Sequence, residues 1–314
     1  MNPETILSFL SLVVGIALMT ISSDKAVEHS IVVAYSLGVS PLLVGLILVS
    51  FGTDLPEIVN SIIASSLGHG NINVGDSIGS VLTQLTLVLG LLPFLGKTFK
   101  VKKSEIAVLG ACEVLSLLLA VSILEKGFVS RIDALLLVSS WFVYMIISRF
   151  IVKRSRKREH KKEVPKRNTF RHLFFAMLGF IGVTVGAYIV VESVLSISSL
   201  FKISEYIVSF FLVAIGTSLP ELAVDLTAIR KKEYELAVGD AIGSCIMDAS
   251  FSIGIGLLLF PQSISGELAT ITTIYTILAS VIAVLTLTLR GKLDKKSGAL
   301  FLVIYALSYL LILA

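Results

Sequence analysis

Charge is scarce in this sequence. Only 15% of its 314 residues are charged while 55% are hydrophobic, and the mean hydropathy is +0.94; a soluble domain carries about 25% charged residues. A water-soluble globular chain is therefore excluded. Cysteine is nearly absent as well. Cys112 and Cys245 both fall inside apolar runs, which argues against a disulfide framework and predicts two buried thiols. No series of segments of about ten residues alternates polar with apolar side chains, as the strands of a membrane barrel do. The first apolar run has an acidic Glu4 and lacks both a basic region and a small-residue cleavage site, so it reads as a retained span and not as a signal peptide. A His-Glu metal motif such as HExxH is also missing, which argues against an intramembrane metalloprotease.

What is present is a succession of apolar runs, each long enough to cross about 30 Å of hydrocarbon as a helix of roughly 17 to 25 residues. Ten spans are predicted, at 4–23, 41–66, 72–96, 105–124, 129–150, 170–198, 205–229, 235–260, 268–289 and 298–313. The first has room to continue as helix up to the turn at Ser40 and Pro41. The fold class is an all-α integral membrane protein, and no enzyme activity is expected of it.

Basic residues in short loops stay on the cytoplasmic side. With the N-terminus outside, only Lys126, Arg131 and Lys202 of the 26 basic residues fall on the outer side. Both termini are expected to face out. The run KRSRKREHKKEVPKR at 153–167 then lies in the cytoplasm. It reads as a solvated linker that fixes topology, ahead of a nucleic-acid or phospholipid contact. His160 and His172 lack the spacing of a metal site, and His29 and His69 sit near span ends where hydration is the default. The expected division is 1–150, a basic linker at 151–169, and 170–314.

Two of the runs are interrupted in the same way. GTDLPE at 52–57 returns as GTSLPE at 216–221, and the same shift of 164 residues lays GDSIGS at 75–80 on GDAIGS at 239–244. Each half holds five predicted spans, and an odd number makes the second half enter the membrane from the opposite side. Inverted repeats of this kind build many secondary transporters, with interrupted helices meeting at the midplane. The expectation is two inverted five-helix repeats, with helices 2, 3, 7 and 8 broken around a central cation site.

Proline lacks an amide hydrogen and clashes with the preceding turn. Pro56 and Pro220 are therefore expected to free the carbonyls of Gly52 and Gly216, which is tolerable only where those oxygens line a cavity or meet a cation. Residues four apart share a helix face. That rule aligns Thr53, Glu57 and Ser61, and Thr217, Glu221 and Asp225; it also aligns Asp76, Ser80 and Gln84, and Asp240, Ser244 and Asp248. The four stripes offer only oxygen ligands, as hard cations such as Ca2+ require. An intramembrane carboxylate costs about 2.5–3.5 kcal/mol on insertion scales, so several together imply bound cations, protons or water. The motif glycines have a second use, since small residues let membrane helices approach closely. Glu192, the lone acid of the sixth span, reads as a gating or hydrogen-bonding residue.

These paired motifs resemble the α-repeats of the cation/calcium antiporter superfamily, and among its members the chain is most like the microbial sodium/calcium exchangers. The resemblance spans nearly the whole chain. It implies a ten-helix exchanger in which Ca2+ and several Na+ compete for one cluster, with no cofactor beyond the transported ions. By motif position it implies ligands Thr53, Glu57, Ser80 and Gln84 in the first half, and Thr217, Glu221, Ser244 and Asp248 in the second. The carbonyls of Ser50 and Ala214, with Ser218, look like sodium ligands of that family. The chain departs from the family at Asp54, where serine is usual, and at Gln84, Asp76 and Asp240, where asparagine is usual; Asp225 is a further acid. Those carboxylates keep H+ open as the coupling ion, although the Gly-Asn signature of Ca2+/H+ antiporters is absent. A channel fits less well than alternating access, since its rings of acids usually need several subunits. The partners expected are Ca2+, Na+ and the lipid bilayer, with a single chain as the working unit.

Overall fold

The computed structural model describes residues 3–36, 53–155, 169–200, 206 and 208–312. Within them the chain is almost wholly helical. The first half contains α1 (Pro3–Ser36), α2 (Leu55–Ser66), α3 (Gly70–Leu82), a π-helical turn at Thr83–Val88, α4 (Leu89–Leu95), α5 (Lys103–Leu124) and α6 (Arg131–Ser155). The second contains α7 (Thr169–Leu200), a π-helical turn at Val208–Val213, α8 (Ala214–Thr217), α9 (Leu219–Arg230) and α10 (Tyr234–Met247). It ends with a π-helical turn at Asp248–Ser252, α11 (Ile253–Leu259), α12 (Gly266–Arg290) and α13 (Lys295–Ile312).

The shift of 164 residues that aligns the motifs also aligns the elements. It carries Leu55–Ser66 onto Leu219–Arg230 and Leu89–Leu95 onto Ile253–Leu259 end to end. The first apolar run does continue past its predicted limit, as one helix of 34 residues. Among the described residues, four helices are long and apolar enough to cross a membrane: Gly70–Leu95, Lys103–Leu124, Tyr234–Leu259 and Gly266–Arg290. Ser209–Thr217 and Leu219–Arg230, bent by 41° against each other, make a fifth if counted together. The exterior is apolar, with side chains such as Leu7, Ile132 and Leu289 more than half exposed, as a lipid-facing surface requires.

Two short ribbons, which no periodicity in the sequence announced, join the halves. Phe99–Lys100 (β1) pairs antiparallel with Lys292–Leu293 (β4), and Phe128–Val129 (β2) pairs with Gln262–Ser263 (β3). β1 precedes α5 and β2 follows it, so the ribbons lie at opposite ends of a 22-residue helix, roughly 33 Å apart at 1.5 Å per residue.

The third and eighth apolar runs are not broken as expected. Each is one uninterrupted helix of 26 residues, widened by its π-helical turn beginning near Gln84 or at Asp248. A π turn accommodates an extra residue while keeping the backbone hydrogen-bonded, and such turns recur at functional sites. Both cysteines are free and buried.

Candidate functional site

The site forms where the two GT-x-LPE segments interrupt their helices. Asp54 ends its turn at φ −77°, ψ 1° and α2 begins at the next residue. Ser218, its counterpart, stands at φ −81°, ψ 2° between α8 and α9. Each proline therefore sits in a first helical turn, where a missing N–H is harmless, and not in a helix interior. This corrects the simple stripe of residues four apart: Thr217 and Glu221 lie on opposite sides of a 41° bend. Ser61 stays in one helix with Glu57, and its hydroxyl accepts the amide of Gly256 at 3.2 Å.

The breaks turn acids inward. One carboxylate oxygen from each of Asp54, Glu57 and Glu221 lies within 4.8 Å of the others, and all three side chains are buried. Thr53 and Asp54 lie beside Glu221. Neither oxygen of Asp54, Glu57, Glu221 or Asp225 accepts a hydrogen bond. No lysine or arginine is buried among the described residues, so protein cations do not balance this charge.

α3 brings the second motif against the broken helix. A methyl added at Gly79 would stand 2.1 Å from the carbonyl oxygen of Phe210 and 2.8 Å from the Cβ of Ala214. Only glycine permits that crossing. The approach places Ser80 Oγ 3.2 Å from Thr217 Oγ1, which itself lies 3.1 Å from Asp76 Oδ1. Asn60 donates its amide to the other oxygen of Asp76, so that carboxylate is engaged on both sides. Gln84 Nε2 donates to Asp248 Oδ2 at 3.2 Å, while Asp248 Oδ1 and the hydroxyls of Ser218 and Ser244 accept nothing. Asp240 lies against Asp225. The carbonyl of Ala214 accepts the amide of Ser218 at 3.0 Å and the hydroxyl of Thr217 at 3.4 Å.

Ser50 and Gly52 lie outside the described residues, and so does the side chain of Glu192. Sequence reasoning missed Asn60, whose counterpart is Val224 and which therefore breaks the repeat, and Ser252, a buried hydroxyl beside Asp248. It also missed Glu113, buried outside the motifs, which accepts the hydroxyl of Ser280 at 2.9 Å. An acid in the middle of α5, whose counterpart is Ile277, was the available signal.

Comparison with known proteins places this arrangement. The family model described as sodium/calcium exchanger protein matches residues 7–150 and again 171–314, two stretches separated by the same 164 residues. The inner membrane protein YrbG of Escherichia coli is 30% identical over 264 residues, covering 81% of this chain and 80% of its own. The sodium/calcium exchanger MaX1 of Methanosarcina acetivorans is 26% identical, covering 95% of this chain and 96% of its own. Among solved structures, the sodium-calcium exchanger NCX_Mj soaked with 2.5 mM Na+ and 0.1 mM Ca2+ superposes with a TM-score of 0.78 at 29% identity, over 96% of this chain and 97% of that one.

Proposed function

The chain belongs to the sodium/calcium exchanger protein family, and from that premise we propose that it is a secondary antiporter moving Ca2+ against Na+ through one central site by alternating access. The observation that carries this reading is the cluster of Asp54, Glu57 and Glu221, buried, mutually close and without hydrogen bonds. Buried charges left uncompensated cost several kcal/mol each, and a divalent cation or several monovalent ones remove that cost. Glu57 and Glu221 supply most of the charge. Thr53, Ser80, Gln84, Thr217, Ser244 and Asp248 complete an oxygen shell of the six to eight ligands typical of Ca2+, and the hydroxyl of Ser218 with the carbonyl of Ala214 adds sodium ligands.

Competition follows from charge. The cluster is tolerable in a low-dielectric interior only when either ion set fills it, so the helices rearrange when loaded and resist rearranging when empty. In this reading the ten apolar runs cross as two inverted five-helix repeats, 1–150 and 170–314, joined by a cytoplasmic linker at 151–169. Both termini face out. A single chain completes the site, because each half contributes one glutamate. No cofactor takes part.

The experiment is uptake of isotopic calcium into proteoliposomes under imposed Na+, K+ or H+ gradients. Uptake that follows the sodium gradient is the expected result. A second reading, Ca2+/H+ exchange, draws on Asp225 lying against Asp240, since two buried acids side by side favour holding a proton between them. Robust uptake under a pH gradient with sodium omitted would move the assignment to that reading.

A further inference from the structure

Apart from the acidic cluster, α1 and α7 meet at a pair of histidines. Nδ1 of His29 lies 2.8 Å from Nδ1 of His172, with ring centroids 5.0 Å apart and planes inclined at 55°. His29 is held on its other side by stacking with Phe175 at 5.2 Å and 28°. At that separation one nitrogen carries a proton and the other accepts it, so two imidazoles from different helices turn their Nδ1 atoms toward each other.

We propose that His29 and His172 form a binding site for a first-row transition-metal dication, with Zn2+ as the probe, in which the ion replaces the shared proton and ties α1 to α7. A tetrahedral ion with Zn–N bonds of about 2.0–2.1 Å holds two nitrogens roughly 3.3 Å apart. The observed pair needs to open by about half an ångström, with both rings turned off the line of their hydrogen bond so that the two lone pairs converge on the ion. Both rings are half-buried, which leaves an open side for the remaining ligands.

The surroundings suit neutral imidazole, the form that ligates. Lys25 is engaged by Glu28 at 3.2 Å, Lys231 donates to the carbonyl of Asp24 at 2.9 Å, and Arg171 sits 5.7 Å over the ring of Phe175. Burial, opposed by Glu28 and aided by His172, Lys25 and Lys231, holds His29 below the usual imidazole range. Ligand chemistry separates this site from the central one: carboxylates and hydroxyls suit hard cations, whereas imidazole suits zinc, copper and nickel.

The test is calorimetric titration of Zn2+ into the purified full chain in detergent, for wild type, His29→Ala, His172→Ala and the double variant. Loss of outer-shell partners alone weakens metal sites about 10- to 100-fold, so loss of a ligand in either single variant is expected to weaken zinc binding at least tenfold. The Cu2+-loaded wild type is expected to give an electron paramagnetic resonance spectrum split by two imidazole nitrogens, and each single variant by one. Undiminished zinc affinity in the double variant, or a copper spectrum without nitrogen coupling, overturns the proposal. His29→Gln and His172→Gln, which keep the side-chain bulk, serve if an alanine variant fails to elute as a single species. Neither readout involves transport, so the outcome is independent of the exchange reaction.

Discussion

Gln84 donates to Asp248 at 3.2 Å, and the two residues are 164 positions apart, the interval that relates every repeated motif. They are one position of the repeated sequence, and its two copies meet here. The pair is also where the copies differ chemically, amide against acid. One carboxylate oxygen is thereby fixed and its twin, Asp248 Oδ1, is left open. A hydrogen bond to a charged group contributes about 1.5–3 kcal/mol. Gln84→Ala is therefore expected to raise the calcium concentration for half-maximal uptake about tenfold or more, by releasing Asp248 from its aimed position. Concentration dependence of uptake in proteoliposomes measures it; an unchanged value means the amide does not orient the acid.

Glu57 and Glu221 should behave oppositely in two assays. Glu57→Gln and Glu221→Gln each remove a buried charge that no protein group compensates, so the ion-free protein in detergent should melt a few degrees higher than wild type. The same variants should lose calcium uptake. They should also lose calcium-induced stabilisation, which for wild type is about 2.7 kcal/mol at a hundred times the dissociation constant. Wild-type uptake together with wild-type stabilisation in both variants would remove these residues from the ion site.

Much of this was legible before any coordinates. The doubled motif and the buried acids and hydroxyls it carries follow from residue type and spacing. The shift of 164 that aligns Pro56 with Pro220 also aligns Leu55–Ser66 with Leu219–Arg230. What spacing does not encode is the third dimension of a helix break. Thr217 and Glu221 are four apart, and a regular helix would stack them, but the turn at Ser218 takes them off one face. The π-helical turns were equally hidden, since no residue type demands one. Ser61 and Asp225 occupy the same repeat position, yet one caps Gly256 and the other faces Asp240. The contact of His29 with His172 joins positions 143 apart in sequence, and no local pattern reports such a meeting.

Two glycines, one in the second motif and one in the turn before α3, predict a sharp contrast. At Gly79 an added methyl meets the backbone oxygen of Phe210 at 2.1 Å, and backbone has no rotamer to escape into. Gly79→Ala should push α3 off the broken helix, with the 1–3 kcal/mol or more typical of overpacking, and should reduce uptake with it. At Gly68 the added methyl meets nothing within 4 Å, but φ is +85°. Gly68→Ala should cost only the left-handed backbone strain, about 1–2 kcal/mol, and leave uptake intact. Thermal melts and calcium uptake on both variants check the contrast; equal losses of uptake would mean that the close crossing at Gly79 does not position the site.

Two surface acids predict the dependence of stability on pH. In the first turn of α6, Asp133 accepts the amide and hydroxyl of Ser130, at 3.1 and 2.6 Å, and pairs with Lys126 at 2.6 Å. In the corresponding loop before α13 the order is reversed: Asp294 accepts the amide and hydroxyl of Ser297 at 3.0 and 3.2 Å, and pairs with Arg290 at 2.6 Å. Hydrogen bonding to Lys126 and Ser130 holds Asp133 below the usual carboxylate range. The Ser297 amide, joined by Lys292 and Arg290, holds Asp294 below it too. A depressed carboxyl stabilises the fold above its unfolded value, about 3.9, and that stabilisation disappears as pH falls through the folded value. Asp133→Asn and Asp294→Asn should therefore lower the melting temperature at pH 7, with the difference from wild type shrinking as the pH is taken below about 4. Melts of wild type and both variants across that range decide it, and a difference that persists or grows in acid would show that the caps act through shape and not through charge.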